Sequence, residues 1–216
     1  MKLDLHVHSK FSFDCIMEPK TILSVARKRG LTGVAIVDHN TVKGGLEALK
    51  SRPEGLLVIV GCEVLTTKGD VIGLFLDEDI KSRDFFEVTD EIRAQGGMSI
   101  LPHPCRHSTP DKSTLKIVDA IEGFNARSSN SSNAKALRIA AENQLPLTGG
   151  SDAHFYLSIG HGYTELDKDA SDCHELKKKL VRREVMIGGK TVASFTRFID
   201  IGCGYSTKAI RNIRAR

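Results

Sequence analysis

The sequence has no tryptophan and only 6% aromatic residues, so the rows of stacking aromatics found in single-strand-binding proteins are not expected. It has no long apolar run either. The longest purely aliphatic stretch, residues 56–60, falls far short of a membrane span. Five cysteines, Cys15, Cys62, Cys105, Cys173 and Cys203, never form a Cys-x-x-Cys pair. That pattern argues against a disulfide framework or a thiolate zinc cage and predicts reduced thiols in a cytoplasmic protein. Charge of one sign is missing too: 31 Lys and Arg against 27 Asp and Glu leave +4, too little for wholesale binding of a phosphate backbone. The N-terminus, Met-Lys-Leu-Asp-Leu-His, enters patterned sequence at once and predicts no signal peptide. Nothing matches Gly-x-Ser-x-Gly, a P-loop or a dinucleotide fingerprint. What is present, 216 residues with 40% hydrophobic and 27% charged, is the make-up of a soluble globular protein without a membrane partner.

Short apolar runs alternate with longer amphipathic ones. Strands are predicted over 3–7, 33–37, 56–60, 71–76, 98–101, 120–124, 145–148, 162–166 and 185–187. Helices are predicted over 19–28, 41–50, 85–94, 133–142 and 173–183, and partly over 193–214. Pro19 suits a first helical turn, Gly30 a helix end, and Ser131 or Ser132 an N-cap. The alternation implies parallel βα units in an open sheet or a barrel. No repeat or linker divides the chain, so residues 1–216 are expected to form one domain, with 167–216 a helical, basic extension of it. The basic tail over 208–216 reads as a solvated helix face or frayed end, with a nucleic-acid or phosphate contact as the alternative.

The chemical signal is positional. His6 and His8 bracket Val7 at the end of the first predicted strand, where residues i and i+2 share a face and can aim at one ion. His39 ends the second strand and Glu63 follows the third. His103 ends the 98–101 strand, and Asp152 and His154 form a second i, i+2 pair after Leu147-Thr-Gly-Gly-Ser. In a βα barrel these positions converge on the C-terminal rim, where active sites of that fold lie. With Asp14 they make eight imidazole and carboxylate ligands, too many for one ion. They suit two or three divalent ions, Mn, Fe or Zn, with a carboxylate bridging. Such a centre activates water and clamps a phosphoryl group, so hydrolysis needs no protein nucleophile. The cysteines read first as buried or semi-buried packing residues; Cys15, Cys62 and Cys105 each also adjoin a candidate ligand, where a thiolate could add to the metal set or make it oxidation-sensitive.

These residues resemble the motifs of the PHP (polymerase and histidinol phosphatase) family. Asp4-Leu-His-Val-His-Ser is similar to its first motif, Val37-Asp-His-Asn to its second, His103-Pro104 to its third and Gly150-Ser-Asp-Ala-His to its fourth. Gly61-Cys-Glu, Ile121-Glu-Gly-Phe-Asn-Ala-Arg and Ile159-Gly-His-Gly-Tyr-Thr match further signatures. The resemblance implies an α/β fold, a distorted TIM-like (βα)7 barrel, and a metal-dependent phosphoesterase. It implies a first ion on His6, His8, Glu63 and Asp152, with Glu63 bridging to a second that also takes His103. Asp14, His39 and His154 would hold a third. The phosphate would bridge the ions and meet Arg106 or Arg127, beside Asn125. Two positions depart from the pattern. Asp70 stands where many members carry a histidine; either it ligates the second ion, favouring Mn or Fe, or fewer ions bind. Val37 replaces the usual threonine.

The expected function is thus hydrolysis of a phosphomonoester, of a nucleotide or small phosphorylated metabolite, by a metal-bridging hydroxide. Glu63 and Asp152 are expected at the catalytic centre, and His107, near the third motif, is a candidate general acid. The alternative within the class is a 5′-end-directed nuclease or phosphodiesterase on short nucleic acid, to be distinguished by a basic groove leading away from the rim. An amidohydrolase also uses His-x-His, but it typically needs a carboxylated lysine or further late histidines. A metal-free RNA- or protein-binding barrel predicts eroded ligands, and these are intact.

Overall fold

The computed structural model describes residues 1–51 and 54–192. The helix expected over 193–214, Cys203 and the basic tail lie outside the described residues. The chain runs through β1 (Lys2–Val7), α1 (Pro19–Lys28), β2 (Gly33–His39), α2 (Lys43–Lys50) and β3 (Leu57–Thr66). Next come β4 (Gly69–Leu74), α3 (Phe85–Ala94), β5 (Met98–Leu101), the one-turn α4 (Lys112–Leu115) and β6 (Ala120–Asn125). Then follow α5 (Asn130–Asn143), β7 (Leu147–Gly150), β8 (Gly162–Glu165), α6 (Cys173–Val181) and β9 (Met186–Gly189). Local chemistry sets these ends. Pro19 starts α1, and Gly30, at φ 72°, follows its end. Asp84 caps α3 by accepting from the Phe86 and Glu87 amides. The cap of α5 is Ser129, in extended backbone and accepting from Ser132 N, so the helix starts earlier than Ser131 or Ser132 predicts.

The strands form one nine-stranded sheet in the order β7-β6-β5-β4-β3-β2-β1-β8-β9. It curls into a nearly closed α/β barrel. At the seam the Asp152 amide donates to His6 O at 2.7 Å, and the His8 amide to Ala153 O at 3.0 Å. Gly150 permits this approach: a Cβ there would lie 2.4 Å from His6 Cβ and 2.7 Å from Glu122 Oε1. Among the described residues seven strands share one direction, while β4 and β8 run against them. The sequence reading took every unit as parallel. Between β3 and β4 only Thr67 and Lys68 intervene. A parallel return needs a crossover of a dozen residues or more, so a two-residue link dictates a hairpin.

Inside the barrel, Leu3, Leu5, Ala35, Val37, Ile59, Ile72, Met98 and Ile100 pack as an apolar plug, joined by Leu176 and Leu180 of α6. Lys177 of α6 donates to Gly96 O and Gly97 O, just before β5. The helix therefore closes the N-terminal end of the barrel and leaves the opposite end open. Outside, β3–β6 pack on α3 around the fully buried Phe85. Among the described residues no helix is long and apolar enough to cross a membrane.

Candidate metal centre

The interior face that carries the plug continues into polar residues at the C-terminal end. On β2, His39 follows Val37 by two and lies in register with Glu63 of β3, so both face the mouth. β4 enters from the same end and brings Asp70 opposite Leu65. On β1 the alternation is reset. Leu3 pairs with Gly33 and Asp4 with Val34, but Val7 pairs with Ile36, so β1 spends one extra residue between Asp4 and Val7. This bulge lets Leu3 and Leu5 join the plug while His6 and His8 also turn inward. His103 and Asp152, just past β5 and β7, hold left-handed backbone at φ 31° and 55°. In non-glycine residues that conformation costs roughly 1–3 kcal/mol and is concentrated at functional sites.

Glu63 is the hub. Its Oε2 lies 3.5 Å from His6 Nε2, 3.3 Å from His8 Nε2 and 3.4 Å from His39 Nδ1. Its Oε1 lies 3.0 Å from His103 Nε2. Asp152 Oδ1 stands 3.6 Å from the Nε2 of both His6 and His8. Asp14 Oδ2 meets His154 Nε2 at 3.0 Å and His39 Nε2 at 3.4 Å. Potential ligand atoms thus gather in three groups, each within 4.8 Å: His6, His8 and Asp152; His6, Glu63 and His103; His8, Asp14, His39 and His154. All eight candidate positions, the seven at strand ends and Asp14, converge.

Three residues the sequence reading did not assign hold this set in place. Glu122 Oε1 faces His6 Nδ1 at 3.1 Å, and its Oε2 accepts from His103 N at 2.8 Å and Asn125 Nδ2 at 2.9 Å. Asp38 accepts from Ser9 N, Ser9 Oγ, Ser12 N and Ser12 Oγ, and Ser12 Oγ in turn faces His8 Nδ1 at 3.1 Å. Asp4 accepts from the amides of His6, Ser151 and Gly160. Burial pushes the Asp4 carboxyl up to about 6 against those hydrogen bonds. The signal for Asp4 lay in its i−2 spacing from His6, and for Glu122 in the motif that also carries Asn125.

This network assigns the tautomers. Glu122 Oε1 only accepts, so His6 Nδ1 carries a proton and, in the neutral ring, Nε2 the lone pair. Ser12 Oγ gives its hydrogen to Asp38 Oδ1, so His8 Nδ1 donates to Ser12 and, in the neutral ring that binds a metal, His8 Nε2 is likewise a lone pair. The two Nε2 atoms face each other at 3.1 Å, which is repulsive unless a proton or a cation lies between them. Asp14 Oδ1 is buried without a hydrogen-bond partner. The titration directions agree. Burial opposes a charge on His6 and His8, yet nearby carboxylates raise both, His8 to about 9 through Asp152 and Glu63. Burial would raise Glu63 and Asp152, yet the imidazoles hold Glu63, and Arg106, His6 and Arg127 hold Asp152, well below the carboxylate range. His154 falls to about 4 through burial and the charge of His8. The centre is short of positive charge, and the donor set fits divalent ions.

Arg106 Nη2 contacts Asp152 Oδ2 at 2.6 Å, and Arg127 Nη1 lies 3.4 Å from Asp152 Oδ1 and 2.8 Å from His154 Nδ1. Both arginines therefore border the clusters. Asn125 is buried, and its amide serves Arg106, Arg127 N and Glu122, so it positions the arginines. Asp70 falls outside the three groups, with Oδ2 4.0 Å from His103 Nε2. His107 is exposed and lines, with Lys68, Asp70 and His103, a hollow of about 70 Å³ beside the centre. The thiolate expectation is corrected. Burial pushes Cys15 and Cys62 up to about 12, Cys62 packs on the outer face of β3, and Cys105 is also raised by burial. None joins a ligand group among the described residues.

A family model described as PHP-associated matches residues 130–185. An uncharacterised protein of Methanocaldococcus jannaschii is 43% identical over 142 residues, 58% of this chain and 82% of that one. The chain belongs to the PHP family. Among solved structures, a Bacteroides vulgatus two-domain protein containing a predicted PHP-like metal-dependent phosphoesterase superposes with a TM-score of 0.78 at 18% identity. That match covers 88% of this chain, which spans 65% of the Bacteroides protein. A lesion-specific endonuclease of Pyrococcus furiosus superposes with a TM-score of 0.63 at 16% identity, covering 86% of this chain and 57% of that one. Both superpositions show a shared barrel fold.

Proposed function

We propose that this PHP-family chain is a metal-dependent hydrolase of phosphoric esters, acting on the phosphomonoester of a nucleotide or small phosphorylated metabolite. The observation that carries it is the His6 and His8 Nε2 atoms facing at 3.1 Å inside a ring of carboxylates. Divalent ions bound there supply an activated water at neutral pH and withdraw charge from phosphoryl oxygens. His6, His8, Glu63 and Asp152 would hold a first ion, Glu63 with His103 a second, and Asp14, His39 and His154 a third. Asp70, 4.0 Å from His103 Nε2, would offer the second site a hard oxygen, which would favour Mn or Fe over Zn there.

Arg106 and Arg127 release Asp152 in part when substrate enters and turn their forks to the phosphate oxygens, neutralising charge that grows during transfer. Asn125 accepts from the Arg106 side chain and from the Arg127 backbone amide, and so keeps Arg106 aimed and the Arg127 backbone in place. His107, at the edge of the hollow next to His103, donates a proton to the departing alkoxide. The free thiols of the four described cysteines accord with a cytoplasmic setting.

A second reading, a nuclease or phosphodiesterase on short nucleic acid, is favoured by one feature. A groove lined by Lys20, Leu23, Ser24, Arg27, Lys28 and Ser51 runs along α1. Helix α1 descends from the rim, so its basic residues lead away from the centre on the outside of the barrel. The deciding experiment is elemental analysis of protein purified without chelator, with assays on generic phosphomonoesters and phosphodiesters. Two to three metal equivalents, with turnover lost in His8→Ala, support the hydrolase. Well under one equivalent, with no turnover after Mn²⁺ addition, overturns it.

A further inference from the structure

The mouth of the metal centre has two unlike sides. On one, Arg106 and Arg127 crowd Asp152 and His154. On the other stands Phe13, 49% exposed, its ring stacked on His39 with centroids 5.0 Å apart and planes 26° from parallel. Leu65, 62% exposed, lies two residues beyond Glu63 on the inward face of β3 and extends this apolar lip. We propose that Phe13 is a stacking platform for an aromatic base, so that the ester this centre takes is a nucleotide rather than an aliphatic sugar phosphate. The proposal rests on the phosphoesterase reading above and names its substrate class.

Three features of the ring carry the inference. First, the ring is stacked on His39, and its chain neighbours are tied down, Ser12 to Asp38 and Asp14 to His154. A ring fixed in this way loses little freedom when a ligand covers it, which is what makes an exposed aromatic a useful contact. Second, one face is taken by His39 and the rest of the ring is open to solvent. Third, the ring stands at the centre: it stacks on His39, whose ring lies 6.2 Å from that of His154, which Arg127 meets at 2.8 Å. The composition excludes rows of stacking aromatics, but one base needs one ring. The base can belong to a mononucleotide or to the terminal nucleotide of a short strand, since both present the same phosphate, sugar and π-face.

The test compares adenosine monophosphate, ribose 5-phosphate and a 5′-phosphorylated trinucleotide, on Mn²⁺-loaded wild type, Phe13→Ala, Phe13→Leu and Phe13→Tyr. Ribose 5-phosphate keeps the ester and the sugar and lacks the base. The ratio of kcat/KM for the nucleotide to that for ribose 5-phosphate is expected to fall about 5- to 150-fold in Phe13→Ala and Phe13→Leu, the range reported by alanine substitution at base stacks. Phe13→Tyr retains the ratio. Phe13→Leu keeps apolar cover on His39, so it separates a lost π-face from a disturbed ligand should the alanine variant fold or load metal poorly. Preference for the trinucleotide, with the same Phe13 dependence, identifies a strand end as the source of the base. A ratio unchanged in Phe13→Leu, or a wild type indifferent to the base, overturns the proposal. Absence of all turnover overturns the phosphoesterase reading instead. Calorimetric binding of the same ligands then judges the platform separately, equal Kd values with and without the base refuting it.

Discussion

Replacing Glu122 with glutamine tests whether this centre is organised by a residue that touches no metal. The side chain is 2% exposed, so water cannot repair what is lost. One oxygen faces His6 Nδ1, and the other receives two donors, His103 N and Asn125 Nδ2. An amide keeps the shape but has only one acceptor end. Turned with its NH₂ toward His103 and Asn125 it would leave two buried donors unmatched, so it turns that NH₂ toward His6. His6 Nδ1 must then accept, and its proton moves to Nε2, where it points into the metal cluster. His6 is removed as a ligand without being touched. Loss of such a supporting partner costs about 10- to 100-fold in metal affinity, or about 1.4 to 2.7 kcal/mol. Glu122→Ala is less informative, because each orphaned donor adds about 1–3 kcal/mol to the fold's own loss. The assay is equilibrium dialysis against Mn²⁺ or Zn²⁺ with elemental analysis, next to a thermal melt of the metal-free protein. Unchanged affinity in Glu122→Gln refutes the tautomer argument. So does a melt that falls far enough to explain the metal loss by unfolding.

Other expectations follow from the same geometry. Adding metal to the chelated protein at about 100 times its Kd stabilises the fold by about 2.7 kcal/mol, which for a chain of this size raises the Tm by about 5–10 °C; a Tm indifferent to chelator contradicts a native metal centre. Gly44→Ala places a Cβ 1.9 Å from Asp38 Oδ2 and 2.4 Å from Ser9 Oγ, so it should displace the Asp38–Ser12–His8 chain and lower metal retention, measured by the same dialysis. Phe85→Ala empties the fully buried core position beneath α3 and should cost about 3–5 kcal/mol in denaturant unfolding. At pH 8 the Cys15 and Cys62 thiols, raised to about 12 by burial, stay protonated and resist pulsed iodoacetamide, read by mass spectrometry. Rapid native alkylation of either thiol argues against its burial.

The candidate ligands other than Asp14 were legible in the sequence because each sits at or just past a strand end, and strand ends are marked by the change from apolar runs to isolated polar residues. His39 and Glu63 show it well: register pairs them, and each closes a run of β-branched residues. What the sequence could not show was phase. Simple alternation puts Leu5 and His6 on opposite faces, and only the extra residue between Asp4 and Val7 sends both inward. The hairpin at Thr67-Lys68 was written in the short spacing between two apolar runs, yet it was read as one more parallel unit. Arg106 and Arg127 could not be told from surface arginines by spacing. What draws them to the centre is the buried charge of Asp152, a partner far away in the chain.

Three buried carboxylates that lie outside every ligand group, Asp4, Asp38 and Glu122, complete the account of how a barrel mouth holds so many ligands in register. A buried charge is costly unless its lone pairs are filled, and all three are filled by donors from other elements. Asp4 on β1 takes the amides of Ser151, after β7, and Gly160, before β8. Asp38 on β2 takes Ser9 and Ser12, after β1. Glu122 on β6 takes His103, after β5, and faces His6 on β1. Each acid therefore ties its own strand to the loop leaving another, and together they draw strands from opposite sides of the mouth to one point. Backbone pairing fixes neighbours along the sheet but cannot fix distances across the barrel, so this task falls to side chains. Carboxylates suit it because one group can accept from several loops at once. The ligands can then face one another with their lone pairs already aimed, and the metal ions complete a geometry that the chain has set.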